Sequence, residues 1–143
     1  MPMNTCSHST PYQIVLADDH VLLRQGLRRL IEEMGDLDVV AEASDGLELL
    51  NLLKKITPHM VILDISMPKL GGIEAARVIK MTYPKIKILF LSMHKAQEYL
   101  DHAMAAGAEG YLVKEDADTE LFSAIETIRQ GKTFISRLFS QTP

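Results

Sequence analysis

Short apolar runs alternate with amphipathic stretches along most of the chain. The apolar runs predict five strands: Gln13–Ala17, Val39–Ala43, Met60–Leu63, Ile86–Leu91 and Tyr111–Val113. Between them, apolar residues recur three and four positions apart, which is the spacing of one face of a helix. These stretches predict five helices: around Leu23–Ile31, Leu47–Leu53 and Ile73–Ile79, and over Ala96–Ala106 and Thr119–Gln130.

Strict alternation of strand and helix is typical of a parallel sheet covered by helices on both faces. Runs such as VIL and ILFL support this, because parallel strands are buried on both sides. The predicted fold is α/β, a flavodoxin-like doubly wound (βα)5 with a five-stranded parallel sheet of order 2-1-3-4-5. We expect the domain to span residues 12–131, with a flexible N-terminal segment over 1–11 and the start of a linker over 132–143.

Composition narrows the class of protein. A chain of 143 residues suits one domain, and its single cysteine, Cys6, allows no internal disulfide. No apolar run approaches the roughly 20 residues of a membrane span, and the polar N-terminus lacks a signal core, so we expect a cytoplasmic protein without a membrane partner. The net charge of −4, without a basic cluster, excludes this portion as a nucleic-acid surface.

Polar residues fall where the predicted strands end. Asp18 and Asp19 follow the first strand, Asp64 follows the third, Ser92 the fourth and Lys114 the fifth. In an open parallel sheet, ligands bind in the crevice outside the carboxyl ends of the strands. In the order 2-1-3-4-5 the first and third strands are neighbours, so we expect the three aspartates to lie close together.

Three clustered carboxylates repel one another unless a cation offsets their charge. Oxygen ligands with open positions suit Mg²⁺, which often bridges to a phosphate. Lys114 would add a second positive charge, so the site is predicted to hold a phosphoryl group between metal and ammonium. Carboxylates act as covalent nucleophiles for phosphoryl groups. Asp64 is the best placed, because it ends the central strand and precedes the open loop Ile65–Leu70.

Four motifs resemble response regulator receiver domains of two-component systems. They are VLADDH, VILDISMPKLGG, ILFLSMH and GYLVKE, in family order between Tyr12 and Gln130. The resemblance implies that Asp64 accepts a phosphoryl group from a sensor histidine kinase. It also implies Mg²⁺ ligands in the carboxylates of Asp18, Asp19 and Asp64 and in the backbone carbonyl of Ser66.

The same resemblance implies how the phosphoryl group is sensed. Ser92 and Lys114 contact the phosphoryl oxygens, and Tyr111 is a switch aromatic that swings inward as Ser92 moves. Ser66 and His94 flank the site. The chain would catalyse only its own phosphorylation and dephosphorylation, so it is not expected to be an enzyme on other substrates, and phosphorylation would change its homodimerisation or output.

The DDH triplet, the region Arg24–Leu27 and the ending IRQGKTFIS resemble the subfamily with a C-terminal LuxR-type helix-turn-helix. We therefore expect control of transcription, with DNA bound only by an output domain absent from this chain; a stand-alone receiver is the alternative. Many receivers have a cis proline after the lysine. Here Glu115 takes that position, which leaves the geometry of the Lys114–Glu115 bond open.

Several of the candidate site residues also have a purely structural interpretation. Asp18 and Asp19 could cap a helix, Ser92 could cap the next one, and Tyr111 could be a static strand aromatic. His20 could be a metal ligand, although it lacks the second histidine or cysteine of a zinc site and fits a solvated helix start better.

Three other functions compete with a receiver. An aspartate-nucleophile phosphatase commonly has a second acid two positions after the nucleophile, where this chain has Ser66. A flavin-binding module would need a Ser/Thr/Gly-rich loop after the first strand, where this chain is acidic. A pseudo-receiver used only for binding would have lost pocket residues, which are all retained here.

Overall fold

The computed structural model describes residues 11–140. The strands are β1 (Tyr12–Ala17), β2 (Leu37–Ala43), β3 (Met60–Leu63), β4 (Lys87–Ser92), β5 (Gly110–Val113) and β6 (Phe134–Ile135). The helices are α1 (Val21–Glu32), α2 (Gly46–Leu53), α3 (Gly72–Thr82), α4 (Gln97–Ala105) and α5 (Ala117–Arg129). Short 3-10 helices cover Lys114–Asp116 and Arg137–Ser140. The flexible segment predicted over residues 1–11, with Cys6, lies outside the described residues apart from Pro11.

The strands form one parallel sheet in the order β2-β1-β3-β4-β5-β6. The α/β class and the order of the first five strands are confirmed, but the predicted count of five strands is wrong. The sixth strand pairs with β5 inside the segment predicted as linker. The backbone N–H of Phe134 donates to Glu109 (3.0 Å) and that of Ser136 to Tyr111 (2.9 Å). This strand therefore provides donors for the backbone carbonyls of Glu109 and Tyr111 at the outer edge of the sheet.

Side chains of each strand alternate between two apolar cores on the opposite faces of the sheet. Along β1, Val15 and Ala17 point into the core beneath α2, α3 and α4, whereas Ile14 and Leu16 point into the core beneath α1 and α5. Burial on both faces explains the continuous apolar character of the strands. Among the described residues, no helix combines the length and the apolar character needed to cross a membrane.

α2 and α3 both begin near the carboxyl end of the sheet, and a local feature determines where each one starts. Asp45 caps α2, and its carboxylate accepts a 2.8 Å hydrogen bond from the backbone N–H of Glu48. At the start of α3, a Cβ added to Gly72 would lie 2.1 Å from the backbone oxygen of Asp64. Only glycine allows this approach, so α3 packs directly against the turn that carries Asp64.

Candidate functional site

The three predicted acids come together at the carboxyl end of the sheet. Asp18 directly follows β1 and Asp64 directly follows β3, and these strands are neighbours whose last residues, Ala17 and Leu63, are paired. Asp18 and Asp64 are buried, whereas Asp19 is exposed. One ligand atom from each of Asp18, Asp19, His20 and Asp64 lies within 4.8 Å of the others. The proximity expected from strand order is therefore present.

Lys114 reaches the acids from the end of β5, across β4. Its Nζ lies 2.9 Å from Oδ2 of Asp18 and 3.3 Å from Oδ2 of Asp64. The peptide bond between Lys114 and Glu115 is trans, and no cis bond occurs in residues 11–140. The ammonium group thus meets both buried carboxylates without the cis geometry that the sequence left open.

Burial is the main influence on Asp64. It raises the pKa of this carboxyl, and the neighbouring charge of Asp18 raises it further. The Lys114 ammonium and the backbone N–H of Ser66, which donates to Oδ1 at 3.3 Å, lower the pKa but do not cancel the increase. The charged form of Asp64 is therefore disfavoured, although a lysine is in contact with it.

The donor set fits a hard divalent cation. Three carboxylates converge, and two of them are buried with a single ammonium group between them. Carboxylate oxygens with room for water are what Mg²⁺ prefers. The imidazole of His20 is 57% exposed and its Nδ1 lies 2.9 Å from Oδ1 of Asp18. It sits at the N-cap of α1, as expected for a helix-start residue, and it hydrogen-bonds an acid of the cluster.

Ser92 and Tyr111 lie together behind the acids. Ser92 ends β4, is fully buried, and its Oγ accepts a 3.0 Å hydrogen bond from the backbone N–H of His94. Tyr111 lies on the neighbouring strand β5, where burial raises the pKa of its phenol. The Tyr111 hydroxyl donates to the backbone carbonyl of His94 at 2.8 Å, so the ring already occupies the inward position. The role of Tyr111 as a switch that responds to phosphorylation stays a prediction.

Ser66 and His94 are joined at the rim of the site. Oγ of Ser66 lies 2.9 Å from Nε2 of His94. The imidazole of His94 stacks on the ring of Tyr99 in α4, with ring centroids 3.9 Å apart. The loop after Asp64 is therefore connected to the first turns of α4 through one histidine. The backbone carbonyl of Ser66 as a metal ligand stays a prediction.

Sequence reasoning missed several residues around the site. Arg24 donates from Nη1 to the backbone carbonyl of Asp18 and from Nε to Glu42. An arginine within a helix is usually solvated, so nothing in the pattern indicates this contact. Ser136 and Phe139 pack near Tyr111 from the segment predicted as linker, which carries no helical or strand period.

Comparisons with known proteins agree with this geometry. Residues 14–126 match the family described as response regulator receiver domain. The chain is 40% identical over 134 residues to the transcriptional regulatory protein DegU of Brevibacillus brevis, which covers 93% of this chain and 56% of DegU. The chain thus spans about half the length of this curated relative.

Solved structures share the fold. A two-component response regulator of the LuxR family from Aurantimonas sp. SI85-9A1 superposes with a TM-score of 0.88 at 41% identity, covering 93% of this chain and 94% of that chain. A structure of two RcsB dimers bound to two parallel DNAs gives a TM-score of 0.86 at 30% identity, covering 92% and 67%. The family match extends over most of the chain and includes the strand ends that carry the acids and Ser92. The chain therefore belongs to the response regulator receiver domain family of two-component signalling.

Proposed function

We propose that this chain accepts a phosphoryl group on Asp64 from a phosphohistidine of a sensor histidine kinase. The observation that carries this proposal is the setting of Asp64. Its carboxylate is buried beside Asp18 and Asp19, and Lys114 lies 3.3 Å away. Such a cleft is unfavourable for acids alone but favourable for an anion held between cations.

In the proposed transfer, one carboxylate oxygen of Asp64 forms a bond to phosphorus as the bond from phosphorus to the histidine nitrogen breaks. The nitrogen leaves with the electron pair of that bond. Lys114 then moves its ammonium contact from the carboxylates to a phosphoryl oxygen, where it balances the new charge. Because Lys114 already lies between Asp18 and Asp64, this change requires only a small displacement of its side chain.

The carboxylates of Asp18, Asp19 and Asp64 and the backbone carbonyl of Ser66 would hold Mg²⁺. When bound, Mg²⁺ neutralises charge on the phosphoryl oxygens and on the crowded acids. The convergence of these carboxylates supports this assignment, because one oxygen from each of the three acids lies within 4.8 Å of the others.

Phosphorylation would be read out through Ser92 and Tyr111. A phosphoryl oxygen on Asp64 attracts the Ser92 hydroxyl, and the contacts of Tyr111 with Ser92 and His94 favour the inward ring. Such a local charge change biases an element with two positions. In the unphosphorylated protein, the buried ring would exchange with an outward position that the phosphoryl group disfavours.

The wider role we propose follows the relatives. The dimers and DNA in the RcsB structure and the transcriptional role in the name of DegU support homodimerisation and control of transcription by a DNA-binding output domain. The proposed role of phosphorylation is to change this dimerisation. The proposed location is the cytoplasm. The proposed chemistry is confined to the chain's own phosphorylation and dephosphorylation.

Incubation with acetyl phosphate and Mg²⁺ tests the proposal, followed by mass spectrometry of the intact chain and of its peptides. We expect one phosphoryl group on Asp64. When EDTA is added before the acetyl phosphate, no phosphoryl group should appear. Asp64→Asn should fold and take no label, whereas Asp101→Asn, an exposed acid on α4, should be labelled normally. Stable labelling of Asp64→Asn on another residue, or no labelling of the unaltered chain, would overturn the assignment.

A further inference from the structure

Arg24 makes two charge-assisted contacts that tie the acidic loop to the sheet. Its side chain is only 14% exposed, although arginine side chains are mostly exposed in folded proteins. Nη1 donates to the backbone carbonyl of Asp18, and Nε donates to Oε1 of Glu42 at 2.8 Å. The guanidinium thus connects the loop between β1 and α1 to a carboxylate on β2.

Glu42 is itself firmly held. Its Oε2 accepts a 2.6 Å hydrogen bond from Nη1 of Arg28, and its backbone lies opposite Leu16 in the β1–β2 pairing. Burial alone would raise the pKa of Glu42, but hydrogen bonds from Arg24 and Arg28 bring the pKa below its usual value. The carboxylate is therefore charged at neutral pH, and it provides a fixed second anchor for Arg24.

The position of Asp18 matters because its loop is under electrostatic stress. Asp18, Asp19 and Asp64 converge within 4.8 Å, so mutual repulsion favours conformations in which the loop after β1 moves away from Asp64. A hydrogen bond from a cationic donor to the Asp18 carbonyl opposes that movement. Because the charge of Glu42 offsets that of Arg24, the pair restrains the loop without adding a net positive charge that would repel a cation.

We propose that Arg24 is a positioning residue for the divalent-cation site, holding Asp18 and Asp19 in place through the Asp18 carbonyl, with Glu42 fixing its orientation. This inference rests on the proposed function, in which these acids bind Mg²⁺. Arginine is required because its planar fork meets two acceptors in a fixed relation, whereas a lysine presents a single ammonium group. Groups that orient metal ligands in this way commonly change metal affinity when they are altered.

The test is the Mg²⁺ affinity of the full chain without any phosphodonor, measured by calorimetric titration and by the rise in melting temperature with MgCl₂. Arg24→Lys should weaken Mg²⁺ binding about tenfold or more. Glu42→Gln should weaken it in the same direction, and the double variant should lose less than the sum of the two single changes, because both act through one contact.

Arg29→Lys is the matched control. Arg29 is an exposed arginine on the same helix α1, and it takes no part in the contacts among Arg24, Arg28, Glu42 and the Asp18 carbonyl, so Mg²⁺ affinity should stay near that of the unaltered chain. Melting in EDTA reports loss of stability separately. If Arg24→Lys melts earlier in EDTA yet binds Mg²⁺ with unchanged affinity, the residue is only structural and the inference is overturned.

The outcomes separate this inference from the proposed function. Suppose that Asp64 is labelled and that Arg24→Lys binds Mg²⁺ with the same affinity as the unaltered chain. The inference about Arg24 would then be wrong, and the proposed function would still hold. Failure of the unaltered chain to bind Mg²⁺ would overturn both. If Arg24→Lys does not fold, the Mg²⁺ affinity of Glu42→Gln tests the inference. This variant retains Arg24 and weakens only the contact between Arg24 and residue 42.

Discussion

The ionised carboxylate of Asp64 lies in a buried, acidic setting that disfavours its negative charge. Burial removes the carboxylate from water, the Asp18 carboxylate repels it, and the Lys114 ammonium compensates only in part, so its pKa is raised. The same features that make the folded state less favourable make the site receptive to a cation and a phosphoryl group. At this residue, stability and proposed function are therefore in conflict.

We expect Asp64→Asn to raise the melting temperature of the metal-free chain at pH 7. The folded chain binds a proton at Asp64 more tightly than the unfolded chain, whose aspartates have a pKa of about 3.9. Stability is thus lost as pH rises from that value through the raised folded pKa, and asparagine avoids this loss. The gain should shrink below about pH 4, which melting curves across pH will show.

The exposed substitution Asp101→Asn serves as the control, since it should shift the melting temperature little at any pH. A lower melting temperature of Asp64→Asn at pH 7 in EDTA would contradict this account. It would mean that the contact between Asp64 and Lys114 stabilises the fold more than burial and the Asp18 charge destabilise it.

At the scale of elements, two helical glycines have opposite roles. Gly72 begins α3 against the backbone of Asp64, where an added Cβ would lie 2.1 Å from a carbonyl oxygen. Gly26 lies inside α1, where an added Cβ meets nothing within 4 Å. The first glycine is required by packing, whereas the second only increases the conformational freedom of the unfolded chain.

Gly72→Ala should therefore lower the free energy of unfolding by about 2 kcal/mol or more, because backbone must move to accept the methyl group. Gly26→Ala should raise it by about 1 kcal/mol through helix propensity. Chemical denaturation measures both. Gly72→Ala should also slow labelling by acetyl phosphate, since the turn at Asp64 has to shift. Equal stability of the two variants would show that α3 does not constrain this turn.

The carboxyl end of the sheet could be predicted from the sequence better than its outer edge. The positions of Asp18, Asp64 and Lys114 could be predicted, because alternating strands and helices determine which strand ends meet. β6 could not be predicted, since two residues show no period. The contact between Tyr111 and Phe139, with ring centroids 5.5 Å apart, could not be predicted either, because it depends on how the C-terminal segment packs.

For the molecule as a whole, the C-terminal segment packs against the sheet rather than leading straight away from it. Ser136 is fully buried, and its Oγ accepts a 2.8 Å hydrogen bond from the backbone N–H of Val113. The ring of Phe139 meets that of Tyr111 edge to face. The sheet edge and one side of the inward tyrosine are thus covered by residues beyond the predicted domain limit at 131, and we propose a limit near 140.

A chain ending at Gly131 should accordingly be less stable than the full chain. It loses the hydrogen bonds of Phe134 and Ser136 to β5 and the partial burial of Phe139. At about 1 kcal/mol for each hydrogen bond and about 2 kcal/mol for an aromatic side chain, the loss is of order 3 kcal/mol or more. The melting temperature should fall by roughly 10 °C.

A second chain ending at Ser140 is the control, and its melting temperature should match that of the full chain. The two truncations together locate the boundary, because the longer chain keeps the contacts of Ser136 and Phe139 with Tyr111 and the shorter one loses them. If the chain ending at Gly131 melts with the full chain, residues 132–140 contribute nothing to the fold. The domain would then end where the sequence pattern predicts.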